Sequence, residues 1–164
     1  MDRTVTPNRR AVIALGSNQG DRRAAVALAA SRLALLLTNF VLSDLIETEP
    51  EGEGLQDQMP YINAVAVGET SLTGRELLDA LLEIEQEQGR ERPFPKAPRT
   101  LDLDLILLGD AIIVDTDLEV PHPRFRERFF VLGPLAEVAP DAIDPVTGLR
   151  AAELLRNLLR DESR

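Results

Sequence analysis

The run Leu101-Asp102-Leu103-Asp104-Leu105-Ile106-Leu107 restricts the fold more than any other part of this chain. Leucine and aspartate alternate through its first half, and side chains alternate faces along a strand. Leu101, Leu103, Leu105 and Leu107 are therefore expected on one side, facing a core, with Asp102 and Asp104 on the other. Two strand steps separate the acids by roughly 6.6 Å of backbone rise. Their carboxylates can lean together and hold one or two Mg²⁺ ions, because Mg²⁺ takes oxygen ligands and often combines one or two carboxylates with substrate phosphates. A solvated strand face in an acidic protein would read the same way, so the neighbouring residues decide between the two.

Those neighbours are basic. Arg90, Arg92, Lys96 and Arg99 precede the strand with only one acid, Glu91, among them, and Pro93, Pro95 and Pro98 stiffen the segment. The formal net charge of the chain is -10, so this local reversal of sign favours a bound anion. Phosphoryl-type transfer is catalysed mainly by positioning and charge stabilisation, and Arg offers phosphate a planar, bidentate set of donors. A basic loop leading into an acidic pair reads as a polyphosphate site whose loop closes like a lid and excludes water. The same net charge opposes general binding to nucleic acid. No Gly-x-x-x-x-Gly-Lys-Ser/Thr occurs, and residues 16–21 lack the Lys, so a P-loop is not supported. The chain has no cysteine, which excludes disulfides, thiolate metal sites and Cys nucleophiles.

Hydrophobic patterning orders the elements. Residues 11–15 read as a buried strand closed by the turn cluster 16–21, and Asp21 is placed to cap a helix running to about residue 37. Residues 40–48 read as a second strand, 49–60 as a polar loop and 61–69 as a third strand. Thr73-Gly74-Arg75-Glu76 is a capping box, opening a helix whose apolar face carries Leu77, Leu78, Leu81, Leu82 and Ile84 and which ends at Gly89. Residues 100–108 form a strand ended by Gly109-Asp110, with 111–114 expected as its partner across that turn. Residues 126–139 look partly helical, and 149–160 form a last amphipathic helix. The order β-α-β-β-α-β predicts an α+β domain with a ferredoxin-like core, helices packed on a mainly antiparallel sheet. One domain over residues 1–164 is expected, with a flexible lead at 1–9. Residues 1–10 are polar, without the apolar core of a signal peptide, and no apolar run could span a bilayer. A cytoplasmic protein with no membrane partner is the expectation.

Further residues suit a ligand. Tyr61 and Asn63 share a strand face by parity, and an aromatic plate beside a carboxamide fits a flat heterocycle, the ring stacking and the amide reading the edge. His122, the sole histidine, lies in Val120-Pro121-His122-Pro123, followed by Arg124, Arg126 and Arg128. It could donate to a phosphate or a ribose, whereas a His-based metal site lacks a second ligand. Phe129 and Phe130 read as core when taken alone. Glu85 shares a helical face with Leu78 and Leu81, where a partly buried acid could meet a ligand.

Taken together, these segments resemble the 6-hydroxymethyl-7,8-dihydropterin pyrophosphokinase family. The resemblance rests on Ala14-Leu15-Gly16-Ser17-Asn18, Glu47-Thr48-Glu49-Pro50, Tyr61-Ile62-Asn63-Ala64, Ile84-Glu85 through Gly89-Arg90, Pro98-Arg99-Thr100-Leu101-Asp102-Leu103-Asp104 and Val120-Pro121-His122 through Arg128-Phe130. It implies pyrophosphoryl transfer from MgATP to the pterin hydroxyl in folate biosynthesis, with AMP leaving after attack at the β-phosphorus. It further implies that Asp102 and Asp104 bind two Mg²⁺ ions, that Tyr61 and Phe130 sandwich the pterin, and that Asn63 reads its edge with help from the Thr48–Pro50 backbone. Arg90 and Arg99 would act in catalysis, and Glu85, Arg92, Arg99, Leu105, His122 and Arg128 would bind the nucleotide. Family analogy favours a monomer. Where some members carry Trp or Asn beside the pterin, this chain has Pro95-Lys96, and Pro123 stands where an aromatic often follows the His. Two other readings compete. One is a metal-dependent nucleotidyltransferase, which different products would reveal. The other is a non-catalytic RNA or pterin module; the net charge opposes RNA, and a module without catalysis need not keep both acids.

Overall fold

The computed structural model describes residues 7–49, 59–89 and 101–162. Most of the expected flexible lead, most of the 49–60 loop including Pro50, and the basic segment 90–99 lie outside these residues. In chain order the strands are β1 (Arg9–Ser17), β2 (Thr38–Leu42), β3 (Ile46–Thr48), β4 (Tyr61–Thr70), β5 (Asp102–Leu108), β6 (Ile113–Val114) and β7 (Glu119–Val120). The helices are α1 (Arg22–Leu36), α2 (Gly74–Gly89), α3 (Phe129–Val138) and α4 (Ala151–Glu162). Arg9 already belongs to β1, so the flexible lead expected at 1–9 does not extend that far.

The main sheet has five strands in the order β2-β4-β1-β5, with β3 also on β4, and every pairing is antiparallel. This is the expected α+β arrangement. Both faces carry helices. Ile13, Leu15, Ile62, Ala64, Leu103 and Leu105 point to one core, where Val26 and Leu33 of α1 and Leu77 and Leu81 of α2 join them. Val12, Val65, Val67 and Ile106 point to a second core with Phe125, with Leu132 and Leu135 of α3, and with Leu154 of α4. Burying a Leu or Ile side chain stabilises by roughly 1.5–3 kcal/mol, so these stripes account for the docking of all the helices.

Local signals set the helix starts. The Asp21 carboxylate accepts from the Ala24 N–H at 3.1 Å. Thr73 and Glu76 form the reciprocal capping box, Glu76 N–H to Thr73 Oγ1 at 3.1 Å and Thr73 N–H to Glu76 Oε1 at 2.9 Å.

The structure corrects the sequence reading in three places. The strand expected over 40–48 is two strands. Leu42 faces Ala66 and Ile46 faces Asn63, so the edge takes four steps against three on β4 and bulges between them. Buried Ser43 occupies the gap, donating its N–H to Val65 O and accepting the Val65 N–H on its hydroxyl, both at 2.9 Å. Leu107 does not share the face of Leu101, Leu103 and Leu105. The β1–β5 register shifts between Val12 and Ile13, which turns Leu107 into the second core while Leu108 returns to the first. The partner strand expected at 111–114 pairs instead with β7 in a separate two-stranded ribbon. After the left-handed turn at Gly109 (φ 54°) the chain leaves β5, and the Asp115 N–H donates to Leu118 O at 2.9 Å to close the ribbon.

Between α3 and α4 a single carboxylate organises the connection. Asp144, 0% exposed, accepts from Arg126 Nε and Nη2 at 2.5 and 3.0 Å, from the Val146 N–H at 3.0 Å and from Thr147 Oγ1 at 2.8 Å. Burial by itself raises its pKa; the hydrogen bonds from Arg126, Thr147 and Val146, with the Arg126 charge, outweigh burial and hold it below the usual carboxylate range. A carboxyl with a depressed folded pKa stabilises the fold fully above its unfolded value, about 3.9, and that contribution is lost as pH falls through the folded pKa. Asp144→Asn is therefore expected to cost about 3 kcal/mol at neutral pH, and the gap from the parent protein should narrow below about pH 4. Urea denaturation through the acid range measures this, and a gap that ignores pH would assign the effect to shape and not to charge.

Candidate functional site

On the α3–α4 side of the sheet, the helices cover only part of the strands. Beyond the start of α3, among the described residues, a cleft of about 220 Å³ is lined by Ala14, Leu15, Gly16, Thr48, Glu49, Tyr61, Asn63, Asp102, Asp104, Arg128 and Phe130. Strand register assembles it. Gly16 of β1 stands opposite Asn63 on one side and Asp102 on the other, and Ala14 stands opposite Asp104. The central strand thus presents two small residues as a floor between a polar wall on β4 and an acidic wall on β5.

Gly16 allows the closest approach. A Cβ at this position would lie 3.0 Å from Asn63 Oδ1 and 3.7 Å from Tyr61 Cδ1. Asn63 is 5% exposed and donates through Nδ2 to Thr48 Oγ1 at 2.6 Å, which fixes its carboxamide and ties β3 to β4. The entry to β4 is held as well, since Arg22 Nη1 of α1 donates to Pro60 O at 2.6 Å, one residue before Tyr61. Burial raises the Tyr61 pKa, and the charge of Asp102 adds to the rise, so the phenol stays protonated beside the acid.

The remaining wall comes from Arg128 and Phe130 at the start of α3; His122, on the segment that leads there from β7, is not among the lining residues. Val120-Pro121 is a cis peptide, the His122 N–H donates to Ile106 O at 3.0 Å, and a 3-10 turn at Phe125–Glu127 leads into α3. Arg128 lies over the Phe130 ring, 5.5 Å from its centroid, and its buried Nε has no hydrogen-bond partner among the described residues. His122 has a lowered pKa. Burial is the main cause, Arg128 and Arg124 add to it, and Asp104 and Glu119 oppose it. His122 Nδ1 accepts the Arg124 N–H at 3.1 Å, which leaves Nε2–H as the outward donor of a neutral imidazole.

Of the residues singled out in the sequence, Thr48, Tyr61, Asn63, Asp102, Asp104, Arg128 and Phe130 share this cleft. Pro50, Arg90, Arg92 and Arg99 lie outside the described residues. The Leu105 side chain is 5% exposed in the first core, facing away from the cleft, so only its backbone could meet a ligand there. Glu85 does not line the cleft; its carboxylate accepts the Leu103 N–H at 2.7 Å and so braces β5 between the two acids. The sequence reading did not name Gly16, Ala14 and Leu15 as site residues. For the first two a signal existed, small residues at i and i+2 of a strand, which mark a place where something approaches the backbone.

No cluster of three or more His, Cys, Asp or Glu able to cage a metal occurs among the described residues. Two acids alone suit a divalent cation that arrives with its own anionic ligand, and an arginine with an unused donor completes the anion's surroundings. On an α+β sheet of this kind, they define an enzyme of phosphoryl transfer. The sequence model of the 7,8-dihydro-6-hydroxymethylpterin-pyrophosphokinase (HPPK) family matches residues 12–140, and the chain belongs to that family. It is 45% identical over 135 residues to a Bacillus subtilis 2-amino-4-hydroxy-6-hydroxymethyldihydropteridine pyrophosphokinase, a match covering 80% of this chain and 78% of the relative. The Pseudomonas aeruginosa protein of the same name is 42% identical over 148 residues, covering 89% of this chain and 90% of the relative. Among solved structures, wild-type Plasmodium falciparum HPPK-DHPS with pterin and p-hydroxybenzoate superposes with a TM-score of 0.74 at 13% identity, covering 96% of this chain. That likeness is one of fold, and this chain spans only 44% of the Plasmodium protein.

Gly16→Ala is expected to displace the Asn63 carboxamide and break its bond to Thr48, costing about 1 kcal/mol. The Asn63 side-chain amide resonances and the melting temperature report this. An unmoved Asn63 signal would show that the floor has room for a methyl group.

Proposed function

We propose that this chain transfers the pyrophosphoryl group of ATP to the hydroxyl of 6-hydroxymethyl-7,8-dihydropterin, giving the pterin diphosphate and AMP in folate biosynthesis. The observation that carries the assignment is the single cleft in which Asp102 and Asp104 stand beside Tyr61, Asn63 and Phe130, in a chain of this family.

Tyr61 and Phe130 stack on the two faces of the pterin. Asn63 has committed Nδ2 to Thr48, so Oδ1 is available to accept from N–H donors on the ring edge, and the Thr48–Pro50 backbone serves the same edge. Asp102 and Asp104 would hold Mg²⁺, two ions in this proposal; when bound, the metal neutralises phosphate charge and aligns the reacting groups. Arg128, which lines the cleft, offers its guanidinium to phosphate oxygens. Neutral His122 offers Nε2–H to the nucleotide, the Leu105 backbone serves it from β5, and Glu85 of α2 acts on that side by holding the Leu103 N–H. Arg90, Arg92 and Arg99 are assigned to the phosphates from the sequence alone. The pterin hydroxyl oxygen forms a bond to the β-phosphorus, the bridge from that phosphorus to the α-phosphate breaks, AMP leaves with the bridging oxygen, and the hydroxyl proton passes to solvent. The chain's work is orientation and charge placement, so it needs no strong base. No helix among the described residues is long and apolar enough to cross a membrane. The proposal takes residues 1–164 as one domain, monomeric and cytoplasmic.

With β-labelled ATP, Mg²⁺ and the pterin, the products should be AMP and labelled pterin diphosphate. ADP, or no pterin product, would overturn the assignment and favour a nucleotidyltransferase or another kinase. Asp104 is exposed and Asp102 half-buried, both away from the core. Asp102→Ala should therefore lower kcat by about 10³-fold while the melting temperature stays within a few degrees. An unfolded or fully active variant would reject that role.

A further inference from the structure

The turn that brings Arg128 into the cleft is anchored on its outer side. Phe125, at its start, is fully buried in the second core. The Arg126 guanidinium lies over the Phe125 ring, 4.8 Å from the centroid, and donates through Nε and Nη2 to the two oxygens of Asp144. A bidentate Arg–carboxylate pair fixes direction as well as distance, and the Val146 N–H and Thr147 hydroxyl hold the carboxylate in turn. Two residues further on, the Arg128 N–H donates to Phe125 O at 3.2 Å, and Arg128 O accepts from the N–H groups of Val131 and Leu132 at 3.0 Å each. The backbone of Arg128 is thus firmly held. Its side chain is held far less: Nε has no partner among the described residues, and the guanidinium rests on Phe130. Where Arg128 points is therefore decided by the backbone, and the backbone by the turn that Arg126 and Asp144 clamp.

We propose that Arg126 and Asp144 are a positioning pair for the nucleotide side of the cleft. Neither residue lines it. Together they hold the 3-10 turn so that Arg128 is already oriented for a phosphate, and the orienting cost is not taken from the binding energy of ATP. The inference rests on the reading of Arg128 as a nucleotide ligand.

The test is a double-mutant cycle through Arg128. KM for ATP, KM for the pterin and kcat are measured for Asp144→Asn, Arg126→Gln, Arg126→Lys, Arg128→Gln and the double variant Asp144→Asn/Arg128→Gln, at a temperature where circular dichroism shows each variant folded. Asp144→Asn and Arg126→Gln are expected to raise KM for ATP about 10-fold and KM for the pterin by less than about 2-fold. Arg126→Lys, which keeps the charge but loses the fork, should fall between parent and Gln. With Arg128 already changed, Asp144→Asn should add nothing to KM for ATP. An equal effect with and without Arg128, or equal rises in both KM values, would overturn the positioning pair and leave a purely structural one. If Arg128→Gln binds ATP normally, the reading of Arg128 fails and takes the pair's role with it, an outcome distinct from additivity. If Asp144→Asn does not fold, the two Arg126 variants decide, and unchanged KM for ATP in both overturns the proposal.

Discussion

Strand β1 is hydrogen-bonded along both edges, to β4 and to β5, and the register of these two ladders is the constraint on which the site depends. It fixes Gly16 between Asn63 and Asp102, and Ala14 beside Asp104. The ring-reading residues and the acidic residues come from segments about forty positions apart in sequence, yet their spacing across the sheet is set by strand separation, about 4.8 Å per step. Ile13 and Leu15, on the reverse of the same strand, are buried under α1 and α2. A slip of one residue would send the core residues into the cleft and the floor into the core. The hydrophobic energy of the first core therefore also guards the geometry of the site.

The two faces of the sheet have different tasks. On one, α1 and α2 cover the strands and are sealed by apolar contact. On the other, α3 and α4 cover only the half away from the acids, and Arg128 stands at the boundary as the residue preceding α3. The register shift opposite Val12 and Ile13 supports this division. It lets Ile106 and Leu107 both enter the second core while Asp102 and Asp104, at the start of the same strand, line the cleft. Charge follows the same boundary: an acidic pair lies on one wall and an arginine with a spare donor on another. A protein with a net charge of -10 admits a polyanion only where that repulsion is reversed locally, by cations from the chain and by those that travel with the ligand.

Local signals in the sequence were legible because they need only nearby residues. The alternation at 101–105 fixed the face of Asp102 and Asp104, and that of Tyr61 and Asn63 followed by the same rule. The capping box at Thr73 and Glu76 and the Asp21 cap gave two helix starts. Failures came where a distant group intervened. Parity broke at Leu107 because the bulge arises from pairing with β1. The 40–48 strand broke at Ser43 because its hydroxyl answers the Val65 N–H. Residues 113–114 pair with a later strand that no local pattern announces.

The sequence by itself determined the α+β class, the main helices and strands in order, and the shared faces of Asp102 with Asp104 and of Tyr61 with Asn63, since periodicity and capping are written over a few consecutive residues. Only the tertiary structure decided that Gly16 is the floor, that Leu105 faces away from the cleft, that Glu85 braces β5 and that Asp144 holds the turn before Arg128. Each of these depends on a contact between residues far apart in the chain, and such contacts are fixed by sheet register and helix packing, which no single segment encodes.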